Sequence, residues 1–314
     1  MTVRATILCP IDFSDASRGA LRFADVLARH FGAQLLLLAV EDPLLTEAVG
    51  LSTGVQWTAE QTRAELAKFS KRALPESGSE STDLAFEVAV GHPAKEILRV
   101  ARERNSNLIL MSTHGLTGMR KLFFGSTTER VLRETAIPVL AIPPTAEGPR
   151  TSEDIRRAVG RILVPVDLKG WSVHQVQIAR RIAESLRVPL IVTHVVEPVR
   201  SPLAESLHLP SIELERRTRA EDALGELLAT LPRQIRPEAL VTYGDPAEEI
   251  AKVARDRNAG LLVIGLHGSP LLGPRMGSVT YRVLCLAPTP VLALPPQPNT
   301  QVDGRRALTT VGEC

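Results

Sequence analysis

The chain has 314 residues, of which 44% are hydrophobic and 23% are charged, and its formal net charge is +2. These values are typical of a soluble globular protein, and the length predicts about two domains. The small net charge and the aromatic content of 4% argue against nucleic acid as a partner. No apolar run approaches the ~20 residues that span a bilayer, and no signal-like segment precedes Asp12. Cys9, Cys285 and Cys314 lie far apart, which suits a reducing compartment, so we expect a cytoplasmic protein.

Strand-like and helix-like segments alternate through the first half of the chain. Short apolar runs predict strands at 6–10, 34–40, 84–90, 108–111 and 138–142. Helical patterns between them predict helices at 14–32, 58–74, 93–104 and 126–134. Ser14 is a suitable cap for the first helix, Gly32 is a suitable end for it, and Pro93 opens the third. Continuous apolar strands that alternate with helices predict a parallel sheet covered on both faces.

The second half of the chain repeats the first. The segments "GHPAKEILRVARERNSNLILMSTHG" from Gly91 and "GDPAEEIAKVARDRNAGLLVIGLHG" from Gly244 are identical at 13 of 25 positions without a gap. "ILCPIDFSDAS" from Ile7 matches "ILVPVDLKGWS" from Ile162, and "IPVLAIPP" matches "TPVLALPP" in the same order. A period of about 150 residues is too long for a solenoid unit and indicates two copies of one domain.

We therefore predict an α/β protein with two doubly wound, five-stranded parallel-sheet domains in tandem. The predicted domains cover 1–146 and 159–297. A polar, proline-containing linker joins them at 147–158. The tail at 298–314 has no hydrophobic period, and we expect it to be disordered.

A glycine-rich loop precedes the last helix of the first copy. Gly115, Gly118 and Gly125 surround this loop, and Ser126 follows them at the start of the helix. Ligands of doubly wound sheets bind beyond the carboxyl ends of the strands, where this loop would lie. Glycines let main-chain N–H groups point inward, and a helix N-terminus favours negative charge. The pattern is therefore suited to holding an anion.

A purely structural interpretation of the same residues stays open. The run Ser126-Thr127-Thr128-Glu129 fits a capping box, in which Ser126 accepts from the Glu129 N–H and the glutamate reaches back. Glycines in a turn need no ligand. The Walker pattern GxxxxGK[ST] is absent, and so is a GxGxxG after the first strand.

Both halves resemble universal stress protein domains, and together they resemble a tandem universal stress protein. The nucleotide-binding pattern of that family is G-x2-G-x9-G-[ST]. In the first copy, nine residues separate Gly115 from Gly125-Ser126, but Ser112 stands at the first glycine of the pattern. In the second copy, Gly265 and Gly268 match the opening, but only eight residues separate Gly268 from Gly277-Ser278. The resemblance covers residues 3–145 and 159–296 and implies a Rossmann-like fold of the adenine nucleotide alpha hydrolase type.

The resemblance also implies an ATP site in each copy. It places the segment after the first strand near adenine and ribose, a main chain at the end of the second strand against adenine, and the glycine loop around the phosphates. In the first copy these residues are Pro10, Ile11, Asp12, Val40, Thr113, His114, Gly115, Gly118, Gly125, Ser126 and Thr127. In the second copy they are Pro165, Val166, Asp167, Val195, Gly265, Leu266, His267, Gly268, Gly277, Ser278 and Val279. The triphosphate would come with Mg²⁺ where a metal is present.

No catalytic constellation emerges from the sequence. HExxH, GxSxG, SGGxDS and HxGH patterns are absent, and no residue stands out as a general base. His114 and His267 occupy equivalent positions, but we interpret them as loop residues rather than metal ligands. His92 and His194 have no histidine counterpart in the other copy. We therefore name no catalytic residue and no protein metal site, and expect at most slow ATP hydrolysis.

Three functions remain open from the sequence. The first is a stress-response protein in which ATP occupancy is a signal to a partner of unknown identity, with the better site in the first copy. The second is a scaffold or chaperone-like pair of domains without nucleotide, which the shortened second loop favours. The third is a slow ATPase. The apolar last strands at 138–142 and 290–294 predict that the two halves pair edge to edge, and a homodimer is a further possibility.

Overall fold

The computed structural model describes residues 4–43, 58–74, 82–113, 125–144, 148–198, 210–232, 236–266 and 276–296. Within these ranges the strands are β1 Thr6–Pro10, β2 Gln34–Glu41, β3 Leu84–Val90, β4 Leu108–Ser112, β5 Val139–Ile142, β6 Ile162–Pro165, β7 Leu190–Val196, β8 Glu238–Tyr243, β9 Leu261–Gly265 and β10 Val291–Leu294. The helices are α1 Asp15–Phe31, α2 Ala59–Ala73, α3 Pro93–Glu103, α4 Ser126–Glu134, α5 Ser152–Val159, α6 Ser172–Leu186, α7 Pro210–Ala229, α8 Pro246–Asp256 and α9 Ser278–Leu286. None of the helices in these ranges has the length and apolar character of a membrane span.

The strands form one sheet in the order β3-β2-β1-β4-β5-β10-β9-β6-β7-β8. Strand pairs within each half are parallel. The order within the first half, 3-2-1-4-5, recurs in the second half, and it reverses direction between the first and fourth strands of each copy. Two hydrophobic clusters cover the two faces of the sheet. The prediction of two doubly wound, five-stranded domains is therefore confirmed.

The two halves join through their last strands. Strands β5 and β10 pair antiparallel, with Ala141 opposite Val291 and Val139 opposite Ala293. All four of these residues are buried. This pairing confirms the expectation that the apolar edges would cover each other within one chain. As a result, neither strand leaves an open row of N–H and C=O groups at this margin.

The predicted linker at 147–158 contains a helix, α5, which the sequence analysis did not anticipate. Thr151 and Asp154 form a capping box at its start: the Thr151 hydroxyl accepts from the Asp154 N–H at 3.1 Å, and the Asp154 carboxylate accepts from the Thr151 N–H at 3.0 Å. Ile155 is only 1% exposed, and the helix packs against α1. The connection between the domains is therefore an integral part of the packed structure.

The sheet opens a crevice in each half at the point where the strand order reverses. Strands β1 and β4 pair only over their first residues, up to Leu8 opposite Ile109. Strands β6 and β9 pair up to Leu163 opposite Leu262. Beyond these pairs the strands diverge, and the carboxyl ends bound the space in which doubly wound sheets bind their ligands.

Candidate functional site: a cleft at the carboxyl ends of the strands

The turn after β1 holds Asp12 at the edge of the first crevice. Its Oδ1 accepts from the Ser14 N–H at 3.1 Å and from the Ser14 hydroxyl at 2.6 Å. Between them Phe13 adopts the left-handed region with a φ of 64°. Ser14, not Asp12, caps α1, because its hydroxyl accepts from the Ser17 N–H at 3.1 Å. Asp12 Oδ1 is used by the turn, and Oδ2 makes no hydrogen bond within the described residues.

The turn after β6 repeats this arrangement with different partners. Asp167 Oδ1 accepts from the Lys169 N–H and from the Ser172 hydroxyl, both at 3.0 Å. Leu168 has a φ of 60°, like its counterpart Phe13. Lys169 Nζ lies 3.8 Å from Asp167 Oδ2. Both halves therefore tolerate a left-handed non-glycine residue at this turn, which orients one aspartate at each crevice.

The second strands complete the floor beside these turns. The Ile11 N–H donates to Leu38 O at 2.8 Å, and the Val166 N–H donates to Thr193 O at 2.8 Å. Val40 and Val195 follow two residues later, each partly buried against the cluster under α3 and α4 or under α8 and α9. The segment after the first strand and the end of the second strand therefore lie side by side in each half.

The residues that flank the glycine loop of the first half are hydrogen-bonded to each other and to β5. The Thr113 N–H donates to Ile142 O at 2.8 Å, and the Gly125 N–H donates back to Thr113 O at 2.8 Å. The Thr128 hydroxyl donates to Ser112 O at 2.9 Å. These bonds use the Thr113 and Gly125 amides, so neither is available to a ligand. His114, Gly115 and Gly118 lie outside the described residues.

The equivalent loop of the second half is anchored in the same way. Leu266 is fully buried, and its N–H donates to Leu294 O at 2.7 Å. The Thr280 hydroxyl donates to Gly265 O at 3.2 Å. His267 and Gly268 lie outside the described residues. The Leu266 amide is therefore engaged, and the nucleotide contact predicted for this residue would have to use another atom.

The capping-box interpretation of Ser126 is wrong. Gly125 is the N-cap of α4, Ser126 is already the first helical residue, and no side chain caps the helix. Glu129 instead accepts from Arg133 Nη2 at 2.8 Å. Gly277 is likewise the N-cap of α9, without a side-chain cap. The first helical bonds close at Glu129 and Tyr281, so the preceding main-chain amides of both helices have no helical acceptor.

A cleft of about 420 Å³ lies over the carboxyl ends of β6, β7 and β9 in the second half. A volume of this size is usual for small-molecule sites, which cover roughly 300–1,000 Å³. Eight of the predicted nucleotide contacts line it: Pro165, Val166, Asp167, Val195, Gly265, Gly277, Ser278 and Val279. The cleft therefore brings together the strand ends, the aspartate turn and the N-terminus of α9.

The cleft is also lined by polar residues that were not predicted from the sequence, among them Gln175, Thr193 and His194. Gln175 Nε2 donates to Pro165 O and to Val263 O, both at 2.8 Å, and so joins β6 to β9 where their own pairing has ended. His194 Nδ1 lies 2.9 Å from Val166 O. Thr193 directly precedes His194 on β7 and also lines the cleft. The first half has Ala20, Leu38 and Ala39 at the equivalent positions of Gln175, Thr193 and His194.

Among the described residues, no three His, Cys, Asp or Glu side chains lie together in a way that could hold a metal ion. Mg²⁺ is commonly held by substrate phosphates with one or two carboxylates, so a nucleotide site does not need such a cluster.

Cys9 is fully buried, and this burial raises the pKa of its thiol, which fits the interpretation of Cys9 as an apolar filler.

Two doubly wound domains with a crevice at each switch point define a Rossmann-like α/β protein. A family model described as the universal stress protein family matches residues 4–143 and again residues 158–295. The two matches cover most of the chain, so this chain belongs to the universal stress protein family, and the resemblance seen in the sequence is confirmed.

Individual relatives agree with this assignment. Universal stress protein MJ0577 of Methanocaldococcus jannaschii is 28% identical over 150 residues, which are 43% of this chain and 93% of that protein. A universal stress protein of Archaeoglobus fulgidus has a similar structure, with a TM-score of 0.61 and 18% identity over 92% of this chain and 98% of that chain. A putative universal stress protein of Pseudomonas aeruginosa has a TM-score of 0.63 and 19% identity, over 94% of both chains. Both structures span the two halves, and at these identities they show the fold.

Proposed function

We propose that this chain is a cytoplasmic stress-response protein that binds ATP in the clefts at the carboxyl ends of its strands, and that nucleotide occupancy is a signal to a partner. The observation that carries the proposal is the second-half cleft, in which eight residues predicted from the family pattern line one space of about 420 Å³. Its size and its mixed apolar and polar lining suit an adenine nucleotide.

Each part of the cleft has a role in this proposal. The Oδ2 atoms of Asp12 and Asp167 accept from the ribose hydroxyls, because the Oδ1 atoms are committed to the turns. The main chain at Val40 and Val195 bonds the adenine edge. The uncapped N-termini of α4 and α9 receive the phosphates, since their first amides lack helical acceptors and the helix dipole favours anions.

The first half is proposed as the tighter site. Its loop keeps the nine-residue spacing between Gly115 and Gly125, whereas the second loop is one residue shorter and contains Pro270 and Pro274. Mg²⁺ would enter on the triphosphate. Occupancy would alter the surface around the cleft mouth, which a signalling partner reads. The chain would act as a paired-domain monomer or associate further into a homodimer.

A second candidate function is a scaffold or chaperone-like tandem domain without nucleotide. The shortened loop of the second half favours it for that half. A chain with one competent and one empty cleft would combine the two functions.

Equilibrium dialysis of the full chain against labelled ATP, with and without Mg²⁺, tests the proposed function. We expect saturable binding of one or two nucleotides per chain, with competition by unlabelled ATP and weaker competition by GTP. Absence of binding up to millimolar ATP in both conditions would refute the proposal and leave the scaffold function.

A further inference from the structure

Thr193 carries an unsatisfied hydroxyl in the wall of the second-half cleft. The residue is 0% exposed, and its Oγ1 has no hydrogen-bond partner within the described part of the chain. Leaving a buried hydroxyl unpaired costs about 1–3 kcal/mol. Buried polar groups without partners are uncommon in native proteins, and each one needs an explanation.

The packing of the sheet does not explain this hydroxyl. Thr193 occupies a central strand position, opposite Pro165 on one side and Leu240 on the other. Its counterpart in the first half is Leu38, which is also 0% exposed. The same fold therefore accepts a leucine at this place, and the threonine adds a polar group that the domain does not need for its stability.

The residues around Thr193 suit a planar base. Side chains alternate along a strand, so Thr193 shares a face with Val195, the strand-end residue proposed to contact adenine. Ile250, Ile264 and Val283 also line the cleft and are apolar. A mostly apolar wall with a few placed polar groups is how proteins bind and orient small planar ligands.

Two neighbouring polar side chains each use one nitrogen for a contact within the protein. Gln175 Nε2 bonds two main-chain carbonyls, and His194 Nδ1 lies 2.9 Å from the carbonyl of Val166. Thr193, in contrast, retains both a donor and two acceptor positions. The ring nitrogens of a purine base accept hydrogen bonds, and the exocyclic amine of adenine donates them. A hydroxyl can pair with either kind of group.

We propose that the Thr193 hydroxyl hydrogen-bonds the base of the nucleotide in the second-half cleft. The inference rests on the proposed nucleotide binding. It implies that the two halves differ in their response to a base, because Leu38 offers no hydrogen bond in the first half.

The test isolates the second cleft in the full chain. Ser126→Asp places a negative charge at the N-terminus of α4, where it suits the helix but repels a phosphate. In this background, Thr193→Val removes the hydroxyl at nearly constant shape, and Thr193→Ser keeps it. Thr242→Val is the matched control, because Thr242 also carries an unpartnered buried hydroxyl but does not line the cleft.

Thr193→Val is expected to leave the stability of the nucleotide-free protein unchanged or higher and to weaken its binding of ATP. Without nucleotide, Thr193→Val and Thr242→Val are as stable as the background or more stable, since each removes an unpaired polar group. For ATP, Thr193→Val is expected to raise Kd about tenfold, which corresponds to one lost hydrogen bond. Thr193→Ser and Thr242→Val are expected to bind ATP within about twofold of the background.

The outcomes separate this inference from the proposed function. If Thr193→Val binds ATP as tightly as the background, a trapped water satisfies the hydroxyl and the inference is wrong. An equal loss of affinity in Thr242→Val would also overturn it, because the effect would then be general. If the Ser126→Asp chain binds no ATP while the parent chain binds one, the inference fails and the proposed function stands. If the parent chain binds none, the proposed function itself fails.

Discussion

Leu140 on β5 stands directly opposite Leu292 on β10, across the antiparallel seam between the two halves. Both side chains belong to the same hydrophobic cluster, with exposures of 7% and 8%. They line an apolar cavity of about 230 Å³ that Ile155 of α5 also borders. The seam therefore depends on a cross-strand leucine pair and on the connecting helix.

Truncating this pair is expected to show energetic coupling. Leu140→Ala and Leu292→Ala should each lower the free energy of unfolding by about 2–4 kcal/mol. Because the two side chains are direct cross-strand neighbours, the double variant should depart from additivity by about 0.5–3 kcal/mol. Urea unfolding of the four chains measures the cycle. Additive losses would show that the two leucines do not support each other.

Helix α3 lacks a cap that its counterpart α8 has. Asp245 caps α8, where it accepts from the Ala247 N–H at 3.1 Å and pairs with Arg282 Nη1 at 2.7 Å. His92 begins α3 without a cap bond, although Arg130, the counterpart of Arg282, lies 3.3 Å away. His92→Asp should therefore recreate the second-half arrangement and stabilise the protein by about 1 kcal/mol at pH 7. An unchanged thermal midpoint would contradict this prediction.

The acid dependence of this cap follows from the pKa of Asp245. The ion pair with Arg282 is the largest cause that holds the pKa of Asp245 below its ordinary value of 3.8. A carboxyl with a lowered pKa in the folded state stabilises the protein above the unfolded pKa and loses that contribution as pH falls through the folded pKa. The stability difference between the parent chain and Asp245→Asn should therefore shrink below about pH 4, as measured by thermal unfolding from pH 7 to pH 3.

The end of α6 uses an arginine where the first half has a glycine. Arg187 adopts a φ of 53° at the C-cap, and Gly32 adopts 61° at the equivalent end of α1. A left-handed non-glycine residue costs about 1 kcal/mol, and Arg187 is exposed. Arg187→Gly should therefore stabilise the protein by about 0.5–1 kcal/mol, and Gly32→Ala should destabilise it by a similar amount. Chemical denaturation measures both changes in the free energy of unfolding. Changes of the same sign for the two variants would contradict this account.

Ser126 separates a structural role from a binding role. Its hydroxyl makes no cap bond in α4, so Ser126→Ala should leave the free energy of unfolding within about 0.5 kcal/mol of the parent. Ser14→Ala is the matched control and should cost about 1 kcal/mol, because Ser14 does cap α1. At the same time Ser126→Ala should weaken ATP binding by the first half in a titration. A large loss of stability in Ser126→Ala would restore the capping interpretation.

The structural role of Asp12 in its turn can be tested separately from its proposed role in binding. Asp12→Asn keeps an oxygen that can accept from Ser14 and should preserve the turn, whereas Asp12→Ala loses it and should cost about 1 kcal/mol. Both variants lose the Oδ2 acceptor that is proposed to receive the ribose hydroxyls, so both should bind ATP about tenfold less tightly. Thermal unfolding and nucleotide titration measured on the same preparations would check this. Full affinity in Asp12→Asn would remove Asp12 from the proposed site.

The regular elements could be predicted because their signals are local. Continuous apolar runs such as Leu35 to Val40 identify buried parallel strands, and the repeated order of elements fixes the tandem arrangement. The edge pairing of β5 with β10 followed from apolar strands that cannot stay exposed. Helix α5 was missed because it is short and mostly polar, and among its described residues only Ile155 and Val159 are buried in the hydrophobic core.

The site could be predicted only where a motif marked it. The Ser126 to Glu129 run suggested a cap by its spacing, but the chain enters the helix one residue earlier, at Gly125. Gln175 and Thr193 belong to no motif, and they line the cleft because a helix and a strand converge there. Their one sequence signal is that they are polar at positions where the other copy has Ala20 and Leu38.

The antiparallel pairing of β5 with β10 sets the directions in which the two clefts open. Every strand of the first half runs with β5, every strand of the second half runs with β10, and these two strands run oppositely. The openings therefore emerge on opposite margins of the molecule, at least a strand's length apart, roughly 15–20 Å. A small receptor docked over one opening would leave the other uncovered, so, if both clefts bind nucleotide as proposed, two partners could bind one chain at the same time.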